Sequence, residues 1–498
     1  MSHLYSFSFE PNPNWTREYP GQEEIQDYLI GVAHKYELYR HIRFNSSVES
    51  TTWDDGNLKW KTTVRQLSGK TADGSEPHTY TMTSDFFVAA TGQLSDPKPP
   101  SLPGLDTFEG KTMHSSRWDW NYNIQGKKVG IIGTGATAAQ IIPEIAPQCS
   151  SLTVFQRSPA WVVPRHDHEI SALRRAIYRY VPPLRQNYRA SLMDEREGKF
   201  EATFYPRSKK QEFVKELSKG HMLRQLPGEG NAELREKVTP DYPFSCKRII
   251  VSDDFYPTLL RSNTTLETTS ISHVTPRGIQ MTDGTHHDLD LLILATGFNS
   301  TKFLSNINIT GTDNQSLNEA WSRDGASAYL GITVPTLPNF GILYGPNTNL
   351  AYNSLILQIE AQSLYLTRLI TPILAAKRKH QTLTLEPRAD VTKQYKDWLQ
   401  SKLRGSTFAD QRCSSWFKDE KGRIVNNWAG SAVEYQKRVC WIDWRDFVVG
   451  GTGKGLVEGM GVERWNRRKE EGAWSVVQIM ILAVGFVMVC LFSLWSWL

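Results

Sequence analysis

Two periods of apolar side chains run through this chain of 498 residues. Residues 22–41 place apolar positions at helical spacing, whereas 58–66 and 78–90 alternate residue by residue, as hairpin strands do. Two short apolar runs end on the same turn: Asp85-Phe86-Phe87-Val88-Ala89-Ala90-Thr91-Gly92 and Asp290-Leu291-Leu292-Ile293-Leu294-Ala295-Thr296-Gly297. Between them lie a strand, Val129-Gly130-Ile131-Ile132, a glycine turn, an apolar helical run and a second strand at 152–156. Residues 165–240 break this rhythm with Arg, Lys, Glu and Tyr at helical spacing and predict a helical insertion. Residues 356–370 predict a strongly apolar helix, and 450–461 are glycine-rich, like a linker.

The closing stretch differs from all of these. Residues 476–498 are 23 positions without a charge. At about 1.5 Å rise per residue, a helix of that length crosses a ~30 Å hydrocarbon layer. Trp474 at one end, and Trp495 and Trp497 at the other, suit the two interfaces. Arg464, Arg467, Arg468 and Lys469 favour a cytoplasmic side for the N-terminal flank. The expectation is a single-pass C-terminal transmembrane helix, with the catalytic part in the cytoplasm.

The turn itself, Gly133-Thr134-Gly135-Ala136-Thr137-Ala138, has a specific physical reading. Gly133 makes the tight turn out of the strand, Gly135 lets backbone N–H groups approach a pyrophosphate, and Ala138 permits close helix–strand packing. The helix N-terminus then holds phosphate through free N–H groups and its dipole. An NAD site carries Asp or Glu about 20 residues beyond the glycines. This chain has Arg157 and Ser158 there. A guanidinium matches a 2′-phosphate, so the expected nucleotide is NADP.

Composition narrows the class. The chain is too long for one compact core, so two or three domains are expected. Its 39% apolar and 22% charged content is ordinary for a globular enzyme. The net charge of +5 is spread without a basic arm and implies no nucleic-acid partner. Five cysteines without a Cys-x-x-Cys argue against a disulfide framework or a zinc site and fit a reducing compartment. His166-Asp167-His168 lacks a third ligand at useful spacing and reads as a loop. No N-terminal signal peptide is visible.

With these residues in view, Phe108-x-Gly110-x-x-x-His114-Ser115-x-x-Trp118-Asp119 just ahead of the glycine turn resembles the signature of Baeyer–Villiger monooxygenases. These are FAD- and NADPH-dependent flavoproteins. The similarity runs from about residue 2 to about residue 447. It implies that the segment holding His114 and Trp118 links two nucleotide domains and couples NADP binding to domain rotation. It implies that Thr296 and Gly297 lie at a cofactor. Tyr242-Pro243-Phe244-Ser245-Cys246-Lys247-Arg248 resembles the family's active-site segment, making Arg248 the catalytic arginine and Lys247 a contact to the NADP phosphate. In such chemistry reduced flavin and O2 give a C4a-peroxyflavin that attacks a ketone. A guanidinium stabilises the anion and the tetrahedral adduct, and it stays protonated throughout. A carbon then migrates to oxygen, and an ester or lactone forms. Pro338-Asn339-Phe340 and Gly345-Pro346-Asn347 resemble loops near flavin and substrate. Trp416, Trp428, Tyr435, Trp441 and Trp444 either shape a pocket or pack as core.

The expected fold is α/β with two Rossmann-like, three-layer dinucleotide-binding domains. Residues 1–120 read as the remainder of an FAD domain, and 121–298 as an NADP domain with the insertion at 165–240. Residues 299–447 return to the FAD and substrate region, 448–472 form a glycine-rich and basic linker, and 473–498 the anchor. The opening Ser2-His3-Leu4-Tyr5-Ser6-Phe7 resembles a mid-domain segment, and the family's first Gly-x-Gly-x-x-Gly unit is absent. Either the gene model is truncated or the protein is a flavin-poor relic. The leading function is NADPH- and FAD-dependent oxygen insertion beside a ketone carbonyl, with a small carbonyl compound and O2 as substrates. N- or S-oxygenation and a catalytically silent NADP-binding protein are the alternatives. The oligomeric state is left open.

Overall fold

A computed structural model of the chain describes residues 2–67 and 78–475, with isolated positions 478 and 485. Three of the predicted apolar runs, at 129–132, 152–156 and 291–294, assemble with two further strands into one five-stranded sheet. Its order is Thr264–Glu267, Ser151–Phe155, Lys128–Ile132, Leu291–Leu294 and Lys111–His114, with every neighbouring pair parallel. Leu291–Leu294 is wholly buried because both faces are covered. Leu291 and Ile293 join Val129, Ile131, Ala138 and Ile142 under the helix Ala136–Ile145. Leu292 and Leu294 point the other way, to Val274, Ile279 and Met281 of a three-stranded antiparallel sheet. These are the three layers of a dinucleotide-binding unit.

The second region is built around a 24-residue helix, Leu355–Arg378. Its buried Leu357, Tyr365, Leu366 and Leu369 share a core with Leu4, Met193, Trp428 and Tyr435. Beside it an antiparallel meander, Ser46–Asp54, Lys59–Gln66 and Thr79–Ser84, takes Asn308–Thr310 as a parallel edge. Phe87–Ala89 and Phe340–Ile342 form a separate parallel pair. The indole N–H of Trp60 ties meander to pair by donating to the carbonyl of Pro338 at 2.9 Å. Residues 165–240 are helical, including Pro182–Glu197 and Lys209–Gln225. The helix Gln22–Lys35 buries only Val32, and Ile25, Leu29 and Ile30 face outward without a partner among the described residues.

The chain passes between the two regions twice, and the two passages lie side by side. Lys98 N–H donates to Gly297 O at 2.9 Å, and Asn299 N–H donates to Asp96 O at 2.9 Å. Both Ala-Thr-Gly turns put their glycine at positive φ, 73° for Gly92 and 83° for Gly297, a conformation that glycine adopts without penalty.

Several sequence expectations need correction. Among the described residues no helix is long and apolar enough to cross a membrane, and the expected transmembrane helix finds no counterpart there. The longest helix among the described residues, Leu355–Arg378, carries Glu360 and Arg368 and turns its apolar side into the core. Positions 476–498 lie outside the described residues apart from 478 and 485. The flank expected at lipid headgroups instead folds back on the protein. Glu470 pairs with Arg189 at 2.8 Å in the interior, and the N–H groups of Gly472 and Ala473 donate to Asp194. Arg467 and Arg468 are engaged by Glu471 and the Ser8 carbonyl. Neither the membrane partner nor the membrane-anchored location is supported by the described residues.

The cysteine expectation is also overturned: Cys246 and Cys413 form a disulfide, with Cα atoms 6.1 Å apart. Spacing along the chain cannot reveal a pair separated by 167 positions that only packing brings together. The glycine-rich stretch is not free chain either. Phe447–Gly450 pairs with Thr384–Pro387, and Val462–Arg464 pairs with Trp441–Asp443. Trp428, Tyr435 and Trp444 are core residues, while Trp416 and Trp441 are half-buried.

Candidate active site

The glycine turn sits at the end of the central strand, and each residue has a distinct environment. Gly133 has φ of 112°, and a Cβ built there lies 2.7 Å from the Ala295 carbonyl oxygen. Only glycine fits that position without strain. Gly135 is the N-cap of Ala136–Ile145, is exposed, and meets nothing within 4 Å of an added Cβ. The first N–H groups of the helix are left for a ligand, since no side chain caps them. Ala138 is fully buried against the sheet, while Thr137 is exposed and Ala136 half-buried. Thr134 fixes the turn to the next strand through its hydroxyl, which donates to Ser158 O at 3.2 Å.

Two cations converge at that strand's end. Arg157 is exposed and has no ion pair among the described residues. Lys247 arrives from a distant loop and donates to the Ser158 hydroxyl at 3.0 Å, with Nζ 4.3 Å from the centre of the Tyr242 ring. Burial lowers the Lys247 pKa, and the Arg157 charge lowers it further. Two neighbouring cations without a carboxylate between them are electrostatically unfavourable alone and become favourable around a dianion. The site therefore fits a phosphorylated nucleotide: an open helix N-terminus for the pyrophosphate and an Arg–Lys pair for the 2′-phosphate.

His114 and Trp118 sit apart from this cradle, the first at the end of the sheet's edge strand and the second on the segment that follows it. The imidazole bonds Gly297 O through Nε2 at 3.1 Å, and its Nδ1 accepts from the Ser116 N–H at 3.2 Å. The ring is tied to the second passage between the regions, beside Thr296, whose hydroxyl donates to Lys98 O at 2.6 Å. Burial lowers the His114 pKa more than the Gly297 bond raises it, so the ring is neutral. Trp118 packs on the core beneath the sheet, and the neighbouring Asp119 pairs with Lys111 at 2.7 Å.

Arg248 is exposed on the same loop as Lys247. Its charge acts on two phenols, Tyr5 and Tyr344, each pushed up by burial and drawn back by the guanidinium. Tyr344 lies in the second region, just before Gly345-Pro346-Asn347, so Arg248 faces the boundary between the regions. Tyr5 and Tyr344 were not picked out from the sequence. The adjacent glycine–proline loop was the available signal for Tyr344, whereas nothing local distinguishes Tyr5.

The flavin side is tested by spare polar atoms. Gln93 Oε1, Asn426 Oδ1 and Asn427 Nδ2 are buried without a protein partner. They belong to one network: Gln93 donates to Tyr344 O, the Tyr344 hydroxyl to Asn349 Oδ1 at 3.0 Å, Asn349 Nδ2 to Asn427 Oδ1 at 2.8 Å, and the Asn349 N–H to Asn426 O at 3.0 Å. Asn347, at φ of 58°, is buried and donates to the Ile424 and Asn427 carbonyls. Spare amide donors and acceptors of this kind fit the polar edge of a flavin ring.

Comparisons with known proteins agree with this geometry. A family profile described as "Flavin-binding monooxygenase-like" matches residues 2–178. The chain is 43% identical to the FAD-binding monooxygenase ktnD of Aspergillus niger, over 100% of the chain and 81% of that protein. It is 37% identical to a Baeyer–Villiger monooxygenase of Streptomyces coelicolor, over 90% of the chain and 82% of the relative. Among solved structures, closed cyclohexanone monooxygenase superposes with a TM-score of 0.76 at 25% identity, covering 91% of this chain and 89% of that one. OTEMO in complex with FAD and NADP gives a TM-score of 0.73 at 26% identity, over 88% of this chain and 86% of the other.

Proposed function

This chain belongs to the Baeyer–Villiger monooxygenase family, and from that premise we propose how its own residues carry out the reaction. The enzyme is an NADPH- and FAD-dependent monooxygenase that inserts one atom of O2 beside a ketone carbonyl. NADPH supplies the hydride, and FAD the redox centre at which O2 is activated.

The protein's part is binding, orientation and electrostatics. The helix starting at Ala136 takes the nucleotide pyrophosphate on its free N–H groups, beside the turn Gly133–Thr134–Gly135. Arg157 and Lys247 clasp the 2′-phosphate, and Ser158 orients Lys247. His114, held neutral, fastens the linking segment to Gly297, so that nucleotide binding on one side is felt at the passage to the other. The amides of Gln93, Asn426 and Asn427, with buried atoms left unpartnered, would hold the flavin. Arg248 stabilises the negative oxygen that develops as the substrate carbonyl is attacked. A permanently charged donor does this without giving up a proton.

The observation that supports this reading best is the convergence of Arg157 and Lys247 at Ser158, next to the open helix N-terminus. The same loop carries Arg248, whose charge is felt by Tyr344. The oxygen-insertion reading is preferred over N- or S-oxygenation because an amine or sulfide develops no carbonyl oxyanion for Arg248 to stabilise. The test is purification with visible absorbance near about 450 nm as the sign of held flavin, then a ketone panel under 18O2. Ester or lactone carrying one label per NADPH consumed is the expected result. NADPH oxidation with unchanged ketone throughout the panel counts against the assignment.

A further inference from the structure

Lys247 and Arg248 stand on residues 239–249, a stretch with no helix or strand and with Ser245 at a strained φ of 69°. Neither side chain has an ion pair among the described residues, and the side-chain hydrogen bond of Lys247 is the one to Ser158. Their placement therefore depends on what anchors the loop backbone. Tyr242 is one anchor: its hydroxyl donates to Pro159 O at 2.7 Å and its carbonyl accepts from Trp161 Nε1 at 3.1 Å. Cys246, immediately before Lys247, is wholly buried and bonded to Cys413.

The far end of that bond is firmly built. Lys418 Nζ donates to the carbonyls of Asp410 and Cys413. The Trp416 carbonyl accepts from Ser300 Oγ at 3.0 Å and Asn426 Nδ2 at 2.6 Å, and Phe417 is fully buried. Gln211 makes a second, weaker tie between the same places, donating to Phe244 O and Thr407 Oγ1, each at 3.0 Å. Asn426 belongs to the amide network assigned to the flavin. The disulfide thus joins the loop carrying the phosphate-binding lysine to the segment that buttresses the flavin side.

We propose that Cys246 and Cys413 are positioning residues: their disulfide is a covalent strut that holds Lys247 and Arg248 in register, so nucleotide selectivity depends on the oxidation state of this pair. The step is an ordinary exchange. One cysteine thiolate attacks a small-molecule disulfide such as oxidised glutathione and displaces one thiol. The second thiolate attacks the mixed disulfide and displaces the other. Two protein thiols lose two electrons and two protons, and one glutathione disulfide becomes two thiols. With the strut open, the loop keeps the Tyr242 and Gln211 anchors but loses the one adjacent to Lys247. The charged contact to the 2′-phosphate weakens, while the pyrophosphate cradle at 133–138 is untouched.

This inference rests on the reading of Arg157 and Lys247 as the 2′-phosphate site, and its test separates the two. Non-reducing peptide mapping of the full chain, after equilibration with oxidised glutathione, is expected to yield one species linking Cys246 to Cys413. Calorimetric titration with NADP+ and with NAD+ then gives the preference between them. Reduction with dithiothreitol, or Cys413→Ser, is expected to lower the preference for NADP+ about tenfold, the scale of one charged contact. Re-oxidation restores the wild type and leaves Cys413→Ser unchanged. An absent cross-link, or a preference that stays constant while only the melting temperature falls, overturns the strut. Should Cys413→Ser not fold, reduced wild type carries the same comparison. Lys247→Ala is the reference: if it too leaves the preference unchanged, the phosphate-site reading itself has failed.

Discussion

His114 donates its Nε2–H to the carbonyl of Gly297 across 3.1 Å, joining the edge of the nucleotide sheet to the passage leading out of it. The Ser116 N–H occupies Nδ1, which leaves the ring a single neutral tautomer. His114→Ala removes this bond and leaves Gly297 O with the Lys98 N–H alone. The expected cost is about 1 kcal/mol of stability, read from the urea midpoint. NADP+ affinity stays within about twofold, because the ring is outside the cradle. His114→Asn, which keeps a donor, recovers part of the loss.

Arg157→Ala is expected to weaken NADP+ binding roughly tenfold to a hundredfold by removing a charged contact of about 1.5–3 kcal/mol. NAD+ binding changes little, since its ribose offers no phosphate. Paired calorimetric titrations check this, and equal losses for both nucleotides would place Arg157 elsewhere.

The two glycines of the turn separate strain from ligand access. Gly133→Ala forces a side chain to φ of 112° and into the Ala295 carbonyl, so expression or thermal stability should suffer by about 1–3 kcal/mol or more. Gly135→Ala meets open space in the free protein, so the melting temperature should hold. The added methyl stands where the pyrophosphate approaches, so NADP+ affinity should still drop.

Arg248→Ala is expected to lower the rate of ester formation by about a hundredfold to a thousandfold, as loss of a fixed oxyanion donor does. NADP+ affinity stays near wild type, because Arg157 and Lys247 remain. Product analysis beside NADPH oxidation is the measurement. Full-rate ester formation would remove Arg248 from the chemistry.

Acid sensitivity has a specific origin. His3 is buried against Tyr178 and Tyr188, and burial with nearby Arg charges lowers its pKa from 6.5 to about 3. His221 is likewise lowered by burial. The folded pKa values lie below the unfolded one, so the unfolded chain binds protons first as the pH drops. The contribution of these rings to stability is complete above pH 6.5 and is lost as the pH falls toward the folded values. Each titrating ring adds a slope of about 1.4 kcal/mol per pH unit within its window. His3→Phe should flatten the curve of unfolding free energy against pH between about 6 and 4; an unchanged slope would exclude His3 as its source.

The strand–turn–helix at 128–145 was legible because its signals are local. A run of apolar residues, glycines at fixed offsets and a small residue at Ala138 state their own geometry. The Arg157–Ser158 pair could be named as a candidate for the same reason, lying at a set distance from the turn. The meander's first strand, Ser46–Asp54, was missed, since its alternation is blurred by Ser and Thr and its burial depends on partners in Lys59–Gln66 and Asn308–Thr310. The membrane expectation went wrong at the flank. Arg467, Arg468 and Trp474 look like interface anchors one by one, but the fold engages them with Glu471, Ser8 and Asn187.

By itself, then, the amino-acid sequence determined the α/β class and the strand–turn–helix at 128–145, whose physics is contained within about 30 contiguous residues of a βαβ unit. Tertiary structure alone decided that Lys247 reaches Ser158, that the Arg248 charge is felt by Tyr5 and Tyr344, and that Cys246 meets Cys413. Hydrogen bonds, charges and disulfides act over a few ångströms of space, and chain separation carries no record of which distant residues folding brings within that range.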